Sequence, residues 1–295
     1  MRVLILGASG MLGHKLYQTC ATRFDTFGTV RSSAAPLRKL GVEGRVVESI
    51  TAANLPAIDV LLADVSPDAV INCIGVVKQD AAAKDPVASI SVNALFPHQL
   101  ARSCRAVGAR LIHLSTDCVF SGRKGHYSET DSSDADDLYG RTKLLGEVAG
   151  EGCLTIRTSM IGRELAGQHG LLEWFLSNDG GRVRGFRRAV FSGFTTSVLS
   201  ELICGVIAEH RSLSGMWHVA ADPINKFDLL HLIRDAYGLS VDIEPDESTV
   251  CDRSLDGSRF RAATGFVAPS WDAMIDSMAS DRTPYAELRR IRATR

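Results

Sequence analysis

The N-terminal segment places the strongest constraint on what this chain can fold into. Val3 to Leu6 is a short apolar run that ends in GASGMLG, so Gly7, Gly10 and Gly13 follow in a GxxGxxG spacing, and MLGHKLYQTC continues in a helical pattern. Strand, glycine turn and helix in that order define the opening of a βαβ unit. One glycine permits a backbone turn closed to other residues, one lets the main chain approach a pyrophosphate, and one lets the helix pack closely on the strand. The helix start presents unpaired N–H groups and the positive end of a dipole, with the Met11 and Leu12 amides as donors. The segment therefore reads as a dinucleotide-binding loop, with a purely structural tight turn as the competing explanation.

The following residues keep the same rhythm. Apolar runs at Thr26 to Val30, Arg45 to Val47, Ala69 to Ile74 and Arg110 to Leu114 alternate with helical patterns that start near Met11, Ala34, Pro56, Pro86 and Leu138. Such alternation predicts a parallel sheet covered on both faces, an α/β Rossmann-type doubly wound fold. Past about residue 150 the pattern changes. A sixth strand is expected at Cys153 to Arg157, then GGRVRGFRRAVFSGFTT, then helices at Val198 to His210 and Lys226 to Tyr237. The 295 residues thus divide into a dinucleotide-binding domain, 1–157, and a smaller, mixed, mainly substrate-binding lobe, 158–295, with a later strand or helix returning to the sheet.

Composition narrows the function classes. With 33 basic and 34 acidic residues the net charge is −1, which provides no long-range field toward nucleic acid or an anionic membrane. No run of 18 apolar residues predicts a membrane span, and Val3 to Leu6 is too short for a secretory core. The seven cysteines are odd in number and never form a CxxC pair, which disfavours a disulfide framework or zinc site and fits a cytoplasmic protein. Cys118 is expected to be an inert packed thiol. The eight histidines lack ligand spacing; no metal is expected, and His113 reads as a satisfied packed residue. The basic tail ELRRIRATR reads as a solvated terminal helix or frayed end.

Three further segments carry chemistry. After the second strand FGTVRSS has no carboxylate for a ribose 2′-hydroxyl; Arg31, Ser32 and Ser33 suit a 2′-phosphate, so NADPH (NADP+) is expected over NADH. An arginine merely exposed after a strand would look the same. In LYGRTKLLGE, Tyr139 and Lys143 stand four apart on one helical face, where an ammonium can draw a phenol toward its ionised form. At the end of the fifth strand, Ser115, Thr116 and Asp117 offer hydroxyls where parallel sheets bind ligands, although a cap or Asx turn uses the same residues.

Glycine loop, strand-end hydroxyl and Tyr/Lys pair in this order resemble an extended short-chain dehydrogenase/reductase, most similar to the dTDP-4-dehydrorhamnose reductase branch. The segments that carry the resemblance are GASGMLG, VINCIG, VNALFPHQLA, LIHLSTDCVFSG, LYGRTKLLGE and LTIRTSMIG. It implies reduction of the 4-keto group of a nucleotide-diphospho 4-keto-6-deoxy sugar, with Thr116, Tyr139 and Lys143 catalytic. It implies cofactor contacts at Gly7, Gly10, Met11, Leu12, Gly13, Arg31, Ser32, Tyr139 and Lys143, and along Cys73, Ile74 and Gly75, where the family usually has small alanines. Substrate contacts are expected at Thr116, Asp117, Ser159, Met160 and Arg163. Arg187, with Arg182, Arg184 and Arg188, could clamp a diphosphate or could line a solvated edge strand. A nucleotide-sugar epimerase or dehydratase on the same fold, and a non-catalytic dinucleotide-binding regulatory subunit, are the alternative functions; a homodimer is left open.

Overall fold

The structure is a computed structural model that describes residues 1–77, 81–168 and 170–293. In chain order the first half holds β1 (Arg2–Leu6), α1 (Met11–Ala21), β2 (Asp25–Thr29), α2 (Ala35–Arg38), β3 (Arg45–Val47), α3 (Leu55–Val65), β4 (Ala69–Asn72), α4 (Pro86–Ser89), α5 (Phe96–Ala106), β5 (Arg110–Leu114), α6 (Leu138–Leu145) and β6 (Cys153–Arg157). The second holds β7 (Met160–Ile161), α7 (Leu171–Leu176), β8 (Arg182–Phe186), β9 (Ala189–Phe191), β10 (Phe194–Thr195), α8 (Thr196–Glu209), β11 (Gly215–His218), β12 (Ile224–Asn225), α9 (Lys226–Tyr237), β13 (Asp242–Asp246), β14 (Cys251–Asp252), α10 (Ser258–Thr264), α11 (Trp271–Ala279) and α12 (Tyr285–Ala293).

Seven strands form one parallel sheet in the order β11-β6-β5-β4-β1-β2-β3. Strand order reverses between β1 and β4, which opens a crevice at their carboxyl ends. The period of two along each strand divides the core. Val3, Ile5, Ile71, Ile112 and Ile156 face α1 and α8 through Leu12, Leu16, Leu199 and Ile203. Leu4, Leu6, Val70 and Leu111 face α3 and α5 through Ile58, Leu62, Phe96 and Leu100. A strand buried on both faces has no polar side to alternate with, hence the unbroken apolar run at the N-terminus.

Chain past residue 157 rejoins this sheet: β11 pairs in parallel with β6, Gly215 opposite Leu154 through His218 opposite Arg157, and α8 packs against α1. The remaining strands make small sheets, β10-β7, β12-β9-β14 and β13-β8.

Four expectations need correction. β4 ends at Asn72, two residues early, because the Asn72 Oδ1 accepts the Ile74 N–H at 3.1 Å and its Nδ2 meets His113 Nδ1 at 3.1 Å. The helix expected from Ala34 is only α2, four residues long. The one from Pro86 is interrupted by a π-turn at Ile90–Leu95 before α5, where Pro97 removes the amide donor that would continue an unbroken helix. The start of the basic tail is packed instead of solvated, with Leu288 buried and Tyr285, just before it at the head of α12, buried as well. Tyr285 Oη bonds His14 Nε2 on α1 (3.0 Å) and donates to Asp281 (2.8 Å). Residues 294 and 295 lie outside the described residues.

Candidate active site

The glycine loop forms one wall of the crevice. Gly7 has φ +80°, and a Cβ there would press on Cys73 and Ile74 at 3.2 Å, so the loop lies directly against the chain that leaves β4. A Cβ on Gly13 would overlap Gly7 O, so α1 could not approach β1 with any larger residue. The turn is tied to β2: Gly7 N donates to Thr29 Oγ1 (3.2 Å) and Ala8 N to Thr29 O (2.8 Å). Gly10 is the N-cap of α1 and brings no side-chain acceptor to its first turn. A helix start left uncapped by its own side chains is suited to an anion, and the absent Cβ atoms leave the backbone open to one. The residues present fit the diphosphate of a dinucleotide.

The second wall is built by β5 and α6. β5 delivers Ser115 and Thr116 at its carboxyl end. Ser115 Oγ donates to Glu147 Oε1 (2.7 Å), which with its second oxygen also takes a bidentate pair from Arg157 (2.7 Å each), anchoring the end of β5 to the far end of α6. Asp137 caps α6 by accepting the Gly140 N–H at 2.7 Å. Gly140 then permits the close approach that matters most: a Cβ there would overlap Cys118 O. With Gly140 against this loop, its neighbour Tyr139 is brought beside Thr116.

Burial pushes the Tyr139 phenol up, an effect to which Cys118 adds and which the neighbouring Thr116 hydroxyl opposes. Lys143 is 6% exposed, and its Nζ donates to Leu114 O at 2.6 Å. Burial lowers its pKa to about 8, against the opposing pull of Glu147 and Cys73. The direct lowering of the phenol by the ammonium, expected from the sequence, is not the dominant influence here, because Lys143 spends its charge on a backbone carbonyl. Cys73 marks where the β4 exit passes Lys143, so glycine loop, β4 exit and Tyr/Lys helix meet around one crevice.

Thr116, 7% exposed, accepts the Cys118 N–H (3.1 Å) and donates to Asp117 Oδ1 (3.2 Å). Asp117 is equally buried. Burial raises its pKa, and Arg253 together with the neighbouring Cys118, Thr116 and Ser159 groups opposes the rise without cancelling it. Asp117 thus supports Thr116 instead of facing solvent. The Cys118 thiol, pushed up to about 12 by burial and by Asp117, has little thiolate character.

Three site residues were not read from the sequence. Arg253, just after β14, reaches across from the second lobe: its Nε donates to Phe120 O (2.8 Å) and its Nη1 lies 3.8 Å from Cys118 Sγ. A lone arginine in CDRSLDG carries no spacing signal. Asn93, inside the π-turn, clamps the β4 exit, accepting from Val76 N and donating to Val76 O at 2.9 Å each. Gly140 was visible in LYGRT, and a glycine inside a short helix was the available signal of close packing.

Other candidates lie elsewhere. Arg163 pairs with Glu173 at 2.7 Å and stacks over Tyr285, and Glu173 also pairs with Arg289. Arg182 pairs with Asp242 and Glu244, and Arg184 with Asp246, across the β8-β13 edge. Arg187 lies over Phe227, 4.4 Å from the ring centre. Met160 belongs to β7. Arg31 and Ser32 are exposed in the loop after β2, while Ser33 Oγ accepts Ala35 N and Glu48 accepts Ala34 N (2.8 Å). His113 is packed but only half satisfied, since its Nε2 has no partner among the described residues. Those residues also contain no cluster of metal-binding side chains, and no helix among them is long and apolar enough to cross a membrane.

Comparison with known proteins agrees with this architecture. Over 150 residues the chain is 35% identical to a dTDP-4-dehydrorhamnose reductase of Mycolicibacterium smegmatis, covering 50% of this chain and 41% of that protein. Over 149 residues it is 32% identical to methionine adenosyltransferase 2 subunit beta of Mus musculus, covering 50% and 42%. The match thus spans less than half the length of each relative. The structure of a dTDP-4-dehydrorhamnose reductase from Bacillus anthracis in complex with NADP shares the fold with a TM-score of 0.78 at 21% identity, over 94% of this chain and 98% of that one. The RmlD substrate binding domain family matches residues 1–283, nearly the whole chain up to α12, and the chain belongs to that family.

Proposed function

We propose that this protein reduces the 4-keto group of a nucleotide-diphospho 4-keto-6-deoxy sugar with NADPH. The observation that carries the reading is the convergence of Thr116, Tyr139 and Lys143 on the wall opposite an N-terminally uncapped glycine loop. A reduced nicotinamide bound in this crevice would supply the hydride. Tyr139 donates its phenolic proton to the ketone oxygen as charge develops there; its raised pKa keeps it protonated at neutral pH and ready as an acid. Thr116, braced by Asp117 and the Cys118 amide, orients that oxygen toward the phenol. Lys143, a cation below about pH 8, would bond a ribose hydroxyl of the dinucleotide and offset the phenolate left after transfer. Arg31 and Ser32, exposed beyond β2, favour a 2′-phosphate; Glu48 nearby is engaged by Ala34 N. All seven cysteines are free thiols, which suits a reducing, cytoplasmic setting.

The test is loss of NADPH absorbance with a panel of dTDP-, UDP- and GDP-linked 4-keto-6-deoxy sugars. Stoichiometric consumption with at least one sugar is expected. Turnover of a nucleotide sugar without net NADPH consumption would instead identify an epimerase or dehydratase. The similarity to a methionine adenosyltransferase subunit supports a second reading, a dinucleotide-binding regulator. NADPH binding with no sugar in the panel reduced would favour it.

A further inference from the structure

We propose that Cys20 and Cys204 constitute a site of reversible oxidative modification, an intramolecular disulfide that joins α1 to α8. The two residues stand 184 positions apart in the chain, yet their sulfurs lie 2.9 Å apart in a thiol–thiol hydrogen bond. That separation is less than 1 Å beyond a bonded pair, about 2.05 Å. Both side chains are fully buried and belong to one apolar cluster with Leu16, Leu199 and Ile203, so two packed helices hold the sulfurs facing each other. Cys20 sits in the last turn of α1, remote from the glycine loop at its other end, and the site is independent of the crevice chemistry.

A cavity of about 940 Å³ runs along the same pair of helices, and Thr19 and Gly205, each adjacent in the chain to one of the cysteines, are among its lining residues. Both thiols are fully buried, so a small oxidant such as hydrogen peroxide would reach them from this cavity when the two helices part locally. One sulfur attacks a peroxide oxygen, breaking the O–O bond and giving a sulfenic acid and water. The second sulfur then displaces the hydroxyl, forming the S–S bond and releasing a second water. Two thiols lose two protons and two electrons in total, and one peroxide is reduced to two waters. Burial and the neighbouring thiol push the Cys20 pKa up, which makes the first attack slow and keeps the pair reduced when oxidant is scarce. Cys104 and Cys153 are also buried and near enough to influence each other, and they supply an internal control.

The experiment treats the purified, reduced full chain with hydrogen peroxide, alkylates the remaining thiols under denaturing conditions and maps the peptides by mass spectrometry. The expected result is a linked peptide pair containing Cys20 and Cys204, removed by dithiothreitol. Because the link closes a long loop, it should also raise the melting temperature on the order of 10 °C. Cys20→Ser and Cys204→Ala, made separately, should each abolish the link and the shift, while the untreated variants bind NADPH as the wild type does. Mapping on the wild type does not depend on either variant folding. Recovery of Cys20 and Cys204 as alkylated peptides after treatment, or as partners of other cysteines or other molecules, overturns the proposal.

Discussion

The wall formed by Thr116 to Phe120 and α6 and the arginine ribbon of β8 are both polar; the sequence nominated the first as a ligand site and left the second between a diphosphate clamp and a solvated edge strand. In the first, Thr116, Asp117 and Lys143 are 7%, 7% and 6% exposed, and each has a defined bond to backbone or to a neighbour. In the second, the side chains of Arg182 and Arg184 are 67% and 69% exposed and pair in water with the acidic residues of β13. Charge in a low-dielectric wall shifts pKa values and directs protons; the same charge at a wet strand edge is screened and adds little. Residue type nominates a site, and burial decides whether its chemistry is directed.

This contrast can be broken at several points. The largest effect is expected for Tyr139→Phe: NADPH-dependent turnover should fall by roughly a hundredfold or more, with the dissociation constant for NADPH, measured by fluorescence, within about twofold. A variant that kept more than about a tenth of the rate would remove Tyr139 as the proton donor. Arg253→Met should lower kcat about tenfold, the value of one charge-assisted contact to a buried loop, while leaving dinucleotide affinity unchanged in the same titration. Arg31→Ala should weaken NADPH binding roughly fivefold, as an exposed ion pair allows, and leave NADH binding as it was; equal losses for both would refute a 2′-phosphate contact.

Smaller still is the pH effect. Lys143 has its pKa lowered to about 8 from an ordinary 10.5, so kcat/KM, which reports the free enzyme, should be halved near pH 8 and fall further above it. Stability has the opposite sign. Between those two values the unfolded chain holds more protons, so this residue makes the fold gain stability as pH rises through that window and forgo that gain below about pH 8. Denaturant titrations of the wild type and Lys143→Met across pH 7 to 10 would separate the two trends. Last, Arg182→Ala and Arg184→Ala should change activity by less than about twofold and the melting temperature by about 2 °C or less. A large rise in sugar KM in either variant would return the ribbon to the substrate site.

Much of this was legible because it depends on local chemistry. Gly7 announces a turn closed to other residues and Gly13 a close helix-strand approach, and the run from Val3 to Leu6 announces a strand covered on both sides. Tyr139 and Lys143 share a helix, so their spacing alone brings them to one face. Arg253 was not legible, because its partner loop lies more than a hundred positions earlier in the chain. Asn93 was hidden for another reason: it reaches the β4 exit through a π-turn that a regular helical reading smooths over. The start of the basic tail was not legible as packed, since burial of Leu288 and the Tyr285 bond to His14 just before it depend on elements far away in the chain.

Spacing and residue type alone were enough for the alternating architecture, the glycine turn and the shared helix of Tyr139 and Lys143, because each rests on backbone geometry or on neighbours within a few residues. The folded chain alone decided which charges are buried, which arginine crosses between lobes, what Lys143 bonds and that Cys20 meets Cys204. Burial and long-range contact arise from packing, and packing brings together residues whose separation along the chain carries no trace of their proximity.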